Sequence, residues 1–348
     1  MWSDAWPQIV IVSGMLGAGK TTLMVESAKR LIRNGRRVGV ITNDQGTGLI
    51  DTSLARVERI PVGEVAGGCF CCRFLDFLDA ALTLREKRVE VILAEPVGSC
   101  IDIAATVVRP LMRDEPHRFR VAPLTVLVDP ARIRDLRRAP DADLSYLFDH
   151  QLAEADLVCL TKADVGDESP TVDGLVARRI SARSGEGVDE WLQFVLGDDH
   201  KSSGRPLVVD YQRYAAAEAA LAWINWRAQI VLSAPVHPAL IVGPLMEHLD
   251  SALTEIGARI VHVKVLDQTA SGYVRVSQCA NRQEPTIDGC LDADPSHSHE
   301  LLVNARVIGD PVWISRVVDE ALTALPARVT IMRREAFRPA APIPERRA

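Results

Sequence analysis

The stretch Gly14-Met15-Leu16-Gly17-Ala18-Gly19-Lys20-Thr21 decides the fold. Its glycine, lysine and threonine spacing is that of a phosphate loop, and its flanks agree: apolar Ile9-Val10-Ile11-Val12 ends at Ser13 before it, and Leu23-Met24-Val25-Glu26 continues as helix after it. In that context the backbone N–H groups from Gly17 through Ala18 and Gly19 to Thr21 are expected to cradle phosphate oxygens at a helix N-terminus, where the dipole favours an anion. Lys20 is expected to reach the β- and γ-phosphates. The Thr21 hydroxyl is the expected ligand of Mg²⁺, a cation that keeps most of its waters and needs few protein oxygens. A glycine turn with a chance Lys-Thr would not account for the flanks.

Outward from the loop, short β-branched runs alternate with amphipathic stretches up to Leu196, the pattern of a mostly parallel sheet with helices on both faces, an α/β fold of the P-loop NTPase type. Strands are read at Ile9 to Ser13, Val38 to Asn43, Val89 to Glu95, Leu124 to Asp129 and Leu157 to Thr161, with a short one ending at Ser181. Helices are read at Lys20 to Asn34, Arg73 to Glu86, Ala131 to Arg138 and Val188 to Leu196. Polar Gly197 to Pro206 has linker chemistry, so a nucleotide domain is expected over 1–199 and a second over 207–337, with 338–348 a disordered tail. The second half reads strand, helix, strand, strand, helix, strand, which predicts a smaller α+β domain of ferredoxin-like type. Within it, Cys279 to Glu300 reads as a long polar loop, functional or disordered.

A nucleotide site needs a carboxylate on a neighbouring strand end, and Leu93-Ala94-Glu95-Pro96-Val97-Gly98 offers one. Glu95 is expected to hold the metal directly or through its water shell, and the Gly98 N–H to turn onto the γ-phosphate. Asp44 is the second candidate, for the metal's shell or for aligning the attacking water; a strand-ending Asx turn accounts for it equally well. The base is read from Leu160-Thr161-Lys162-Ala163-Asp164. A carboxylate such as Asp164 can accept from both N1–H and the exocyclic amine of guanine, a donor pair adenine lacks, while the Lys162 stem covers the ring. Thr161 stands where the guanine motif has Asn. Ser181 and Ala182, after the next strand, resemble the third guanine element. GTP is therefore the expected nucleotide.

Gly67-Gly68-Cys69-Phe70-Cys71-Cys72 places three thiols within four residues, able to converge on one soft cation, and the position just before a helix is expected to lower their pKa values. A redox pair at Cys69 and Cys72, or plain burial, are the alternatives. Seven cysteines so disposed suit a reducing compartment better than a disulfide framework. At 348 residues, 47% hydrophobic and 25% charged, the composition is globular, and a net charge of −6 argues against a nucleic-acid partner. The N-terminal apolar run is too short to span a bilayer, so no membrane role and a cytoplasmic location are expected.

Together these segments resemble the CobW family of P-loop GTPases, the cobalamin-synthesis and nitrile-hydratase-activator-like relatives of HypB and UreG. The resemblance rests on the phosphate loop with its following Thr22, on Asn43-Asp44-Gln45-Gly46, on Glu64 leading into Cys69-Phe70-Cys71-Cys72, on Glu95 to Gly98 and on Thr161 to Asp164. It covers the first domain well and the second loosely. The family's Asn-Glu-Phe-Gly, its Glu-Thr-x-Gly and the Asn of its guanine motif are all altered here. The resemblance implies that Thr22 joins the nucleotide site and that Cys69, Cys71 and Cys72 bind Zn²⁺ or Co²⁺. It also implies that GTP tightens the cysteine site, that hydrolysis to GDP releases the ion to a client metalloenzyme, and that nucleotide can bring two copies into a homodimer.

Two other functions fit the same residues: a GTP-dependent assembly module for a corrinoid-dependent protein or methyltransferase that carries no metal itself, and a small-molecule kinase. Several weaker signals remain. Three thiolates leave a fourth position to Glu64, a water or a client residue. Cys100 is a further ligand or a buried small residue. His297, His299 and Cys290 offer the donors of a looser metal site, or belong to a solvated loop, and Trp223 and Trp226 are expected to pack against the second domain's sheet.

Overall fold

The computed structural model describes residues 6–45, 50, 58–165 and 177–348; Gly46 of the Asn-Asp-Gln-Gly segment lies outside them. The chain divides into two units. One holds the described residues up to Ala217, apart from Ile50, together with Ala341–Ala348; the other holds Ile50 and Glu218–Ala340.

In the first unit, β1 (Gln8–Gly14) leads into α1 (Lys20–Arg33), followed by β2 (Val38–Asp44), β3 (Val62–Ala66), α2 (Phe74–Glu86) and β4 (Val91–Ala94). A π-helical turn at Ala104–Val108 runs into α3 (Arg109–Asp114), then β5 (Arg120–Val121), β6 (Thr125–Val128), α4 (Pro130–Arg138) and α5 (Ala142–Ala153). The unit's remaining elements are β7 (Leu157–Leu160), β8 (Ala177–Arg179) and α6 (Val188–Leu196), and α7 (Tyr211–Ala219) leads into the second unit. Among the described residues the sheet order is β3-β2-β4-β1-β6-β7-β8, with β5 beside β1, and every pairing is parallel.

Val10, Val12, Val40 and Leu93 share one core with Leu23 and Met24 of α1 and Trp191 and Val195 of α6. Ile9, Ile11, Ile41 and Ile92, which alternate with them, are just as buried, so the sheet is covered on both faces, as its unbroken apolar strands require. Because all strands run the same way, their carboxyl ends share one edge. Gly14, Asp44, Ala66, Ala94, Val128, Leu160 and Arg179 end their strands there, and all but Val128 lead into segments singled out from the sequence.

The second unit is antiparallel: β9 (Leu221–Val236), α8 (Ala239–Glu255), β10 (Arg259–Gln268), β11 (Tyr273–Gln278), β12 (Thr286–Gly289), β13 (Ser296–Ile308), α9 (Pro311–Thr323) and β14 (Arg328–Phe337), in sheet order β12-β11-β10-β13-β9-β14. The four strands β9, β10, β13 and β14 plus two helices reproduce the ferredoxin-like plan, with β11 and β12 added on the β10 edge. The stretch expected as one long loop thus holds β12 and the start of β13. Trp226 lies in the core beneath the helices, while Trp223 is stacked under the Arg306 guanidinium at 3.9 Å.

Two boundaries differ from the sequence reading. The polar stretch 197–206 does not end the first unit: the Ser202 hydroxyl and the Ser203 N–H donate to Asp156 at 2.6 and 3.0 Å and hold the chain there. The tail has no helix or strand from 338 onward, yet Ala341–Ala348 is part of the first unit, hydrogen-bonded through its backbone and two arginines rather than disordered.

Candidate functional site

Gly14 can end β1 only as glycine: its φ is 133°, and an added Cβ would sit 2.3 Å from the Leu127 carbonyl oxygen. Gly17 and Gly19 also have positive φ, 82° and 90°, so the turn aims successive N–H groups inward before α1 begins. Lys20 is buried and donates to the carbonyls of Gly14 at 2.8 Å and Met15 at 3.2 Å, lying across the loop it serves. Thr21 is buried beside it, its hydroxyl 2.9 Å from Glu95 Oε2; Ala18 is buried and Thr22 half-buried on α1.

Glu95 follows β4 directly and is 3% exposed. The hydroxyl and carboxylate of Thr21 and Glu95 form a hard oxygen pair at the helix N-terminus, a donor set that fits Mg²⁺. Gly98 is packed so tightly on the phosphate loop that an added Cβ would lie 2.9 Å from the Leu16 N and from Lys20 Nζ. Asp44 ends β2 on the same sheet edge, half-buried.

Asn43 is the residue that the sequence reading left out of the site. Its Nδ2 donates to the carbonyls of Val65 (2.9 Å) and Gly68 (2.7 Å), and its Oδ1 accepts from the N–H groups of Phe70 (2.9 Å) and Val97 (3.3 Å). One buried amide thereby ties the end of β2 to the cysteine loop and to the segment between Glu95 and Gly98. Only the sheet order, with β2 between β3 and β4, brings those groups together. An Asn closing an apolar strand was the signal available.

The cysteine loop follows β3, a strand absent from the sequence reading, rather than β2. Phe70 anchors it, fully buried with its ring 4.6 Å from Phe77. The N–H groups of Cys72 and Arg73 both return to the Cys69 carbonyl at 3.0 Å, which folds the three thiols toward one point. Cys69 Sγ lies 2.6 Å from Cys71 Sγ and 3.4 Å from Cys72 Sγ, and the latter two are 3.6 Å apart. Among the described residues, this is the one group of three or more potential metal ligands whose donor atoms lie within 4.8 Å of one another, so Glu64 does not join it. The thiols are not acidified by the helix they precede. Hydrogen bonding with Cys100, together with burial, raises Cys69 and pushes Cys71 well up, and hydrogen bonding with Cys69 lifts Cys72 to about 11. The sulfurs keep their protons until a cation displaces them.

At the other end of the edge, the Ser181 hydroxyl donates to Asp164 Oδ1 at 2.5 Å and accepts from the Ser184 N–H at 3.1 Å, so these two loops meet. Thr161 is buried, its N–H on the Val128 carbonyl at 2.8 Å, and Ala182 is half-buried. Lys162 takes a left-handed φ of 59° and pairs with Asp129 at 2.7 Å. His297 and His299 do not converge: His299 is fully buried against Asp267 at 2.9 Å, while exposed His297 bonds the Leu232 carbonyl.

Residues 8–186 match the family model described as CobW/HypB/UreG, nucleotide-binding domain. The chain is 34% identical over 195 residues to the zinc chaperone CobW of Pseudomonas aeruginosa, covering 45% of this chain and 48% of that protein. With the zinc chaperone CobW of a Sinorhizobium species it shares 29% over 189 residues, 46% of this chain and 51% of the other. It thus spans about half the length of these curated relatives. A solved structure of Zn(II)-bound YjiA GTPase from Escherichia coli is similar over 92% of this chain and 99% of that one, at 16% identity and a TM-score of 0.35. Among the described residues, no helix is long and apolar enough to cross a membrane.

Proposed function

The chain belongs to the CobW/HypB/UreG family, and from that premise we propose that it is a GTP-hydrolysing metal carrier that takes Zn²⁺ or Co²⁺ on Cys69, Cys71 and Cys72 and hands it to a client metalloenzyme in the cytoplasm. The observation that carries this is the convergence of three thiols on a loop hydrogen-bonded through Asn43 to the segment that packs on the phosphate loop.

In this reading Lys20 and the backbone donors from Gly17 to Thr21 bind the triphosphate and stabilise charge on the phosphoryl group in transfer. Thr21 and Glu95 hold Mg²⁺, which when bound neutralises negative charge on the phosphates. Gly98 gives the γ-phosphate a backbone donor on the segment that Asn43 ties to the cysteine loop, and Asp44 orients water from β2. Asp164, braced by Ser181, selects guanine, with Thr161, Lys162 and Ala182 shaping the base pocket. Metal affinity and nucleotide state are then coupled, because a shift of the segment 95–98 reaches the thiols through Asn43.

Zn²⁺ affinity measured by chelator competition is expected to be higher with Mg²⁺ and a non-hydrolysable GTP analogue than with GDP. Equal affinities would remove the coupling. Replacing Cys69, Cys71 and Cys72 by Ser separates this function from a metal-free assembly role: client activation that survives the replacement in metal-limited medium would defeat the carrier reading.

A further inference from the structure

A fourth sulfur lies against the cluster on its Cys71 side. Cys100 stands two residues past Gly98, fully buried, with Sγ 3.9 Å from Cys71 Sγ. A soft divalent ion holds thiolate sulfurs at about 2.3 Å, which in a tetrahedron sets them about 3.8 Å apart. The separations Cys69–Cys72, Cys71–Cys72 and Cys71–Cys100, at 3.4, 3.6 and 3.9 Å, lie near that edge, while Cys69–Cys71 at 2.6 Å is shorter. Cys100 is more than 4.8 Å from at least one of the other sulfurs, so a four-sulfur set forms when Cys69 and Cys71 part and Cys100 closes in.

The Cys100 backbone is anchored to neighbouring groups. Gln151 Nε2 donates to the carbonyls of both Gly98 (3.0 Å) and Cys100 (2.9 Å), the Cys100 N–H donates to the Val97 carbonyl at 2.9 Å, and the Tyr214 hydroxyl lies 3.6 Å from the sulfur. Cys159 offers the contrast of a packing cysteine: it is equally buried, but among the valines and leucines of the sheet core.

We propose that Cys100 supplies the fourth thiolate to the ion held by Cys69, Cys71 and Cys72. This rests on the carrier reading and adds a consequence to it. Three ligands come from the cysteine loop and the fourth from the segment that carries Glu95 and Gly98, so the coordination number itself depends on where that segment lies. A closed four-sulfur set retains the ion, and withdrawal of Cys100 opens the position through which it leaves.

The test is a titration of Co²⁺ into the reduced full-length chain with Mg²⁺ and a non-hydrolysable GTP analogue, comparing wild type with Cys100→Ser. The thiolate-to-cobalt charge-transfer absorbance per bound ion is expected to fall by about a quarter as four sulfurs become three, and affinity to fall at least about tenfold. An unchanged absorbance per cobalt overturns the assignment while leaving the carrier reading intact. Failure of wild type to bind cobalt through sulfur defeats both. If Cys100→Ser does not fold, X-ray absorption on the zinc-loaded wild type decides: four sulfurs are expected, and three with one nitrogen or oxygen refute the fourth thiolate.

Discussion

Both carboxylate oxygens of Glu95 lie within hydrogen-bonding distance of the Thr21 hydroxyl, at 3.1 and 2.9 Å, although the two residues are 74 positions apart in the chain. Parallel pairing of β1 with β4 brings them together, and a hard cation at the phosphate loop would be held by this same pair. Thr21→Ala and Glu95→Gln are each expected to lower Mg²⁺-dependent GTP turnover at least about a hundredfold. Because both act on one ion, the double variant should lose little more than either single one, and steady-state phosphate release across a Mg²⁺ series measures it.

Asn43 makes four hydrogen bonds in a buried setting. Asn43→Ala strands two carbonyls and two N–H groups, and each buried orphan costs about 1–3 kcal/mol before the loops relax. Denaturant unfolding should register a loss of several kcal/mol, with Zn²⁺ affinity falling in the same sample. Asn43→Asp should be worse, since a carboxylate would face the Val65 and Gly68 carbonyls. Unfolding midpoints equal to wild type for both variants would discard this role.

Asp164 should decide the base. Asp164→Asn exchanges an acceptor for a donor, which suits the second carbonyl of xanthine and opposes the guanine amine. GTP affinity is expected to drop at least about a hundredfold, since two hydrogen bonds to a charged group are lost at about 1.5–3 kcal/mol each, while XTP affinity rises. Displacement of a fluorescent nucleotide by each triphosphate measures both. Ser181→Ala should weaken GTP only a few-fold, since it removes the brace at Asp164 Oδ1 and leaves the carboxylate.

Glu154 makes stability depend on pH. It caps α5 from inside the core, accepting from the Ala104 N–H at 2.9 Å, and burial raises its carboxyl from 4.5 to about 8. The folded chain therefore keeps a proton that the unfolded chain has released. The stabilisation is complete below about 4.5 and declines as pH rises toward about 8. Between pH 6 and pH 8 the wild type should lose about 2 kcal/mol on this account, and Glu154→Gln should flatten that decline. Parallel slopes for the two proteins in urea unfolding at both pH values would contradict it.

What could be read from the chain in advance was what is contiguous. The phosphate loop, the Cys69 to Cys72 cluster and Thr161 to Asp164 each declare their chemistry within a few residues, and the alternating apolar runs predict the parallel sheet. Asn43 could not be read, because its partners come from β3 and from the loop after β4. β3 itself, Val62-Gly63-Glu64-Val65-Ala66, escaped because an edge strand that is only partly buried needs no apolar run. The proximity of Cys100 to Cys71 likewise depends on strand order. Thiol acidity was misjudged from the helix alone, since the opposing effect comes from neighbouring sulfurs distant or close in sequence.

The C-terminal tail is likewise held by residues far from it in sequence. Pro and Arg in 339–348 read as unstructured, yet the Ile343 N–H donates to Cys72 Sγ at 3.2 Å, the Glu345 N–H to the Cys71 carbonyl at 3.0 Å, and Arg347 Nε to Asp102 at 2.8 Å. Asp102 is 1% exposed and also accepts from the Tyr211 hydroxyl. Arg347→Ala removes its cation; since the arginine is itself partly exposed, the cost should be about 1 kcal/mol, well short of a fully buried pair. That is enough to raise the population of a detached tail about fivefold. Alkylation of metal-free Cys72 should then accelerate by a similar factor, while buried Cys159 keeps its wild-type rate. Equal acceleration at both would mean general unfolding, and no acceleration at Cys72 would mean that the tail does not guard it.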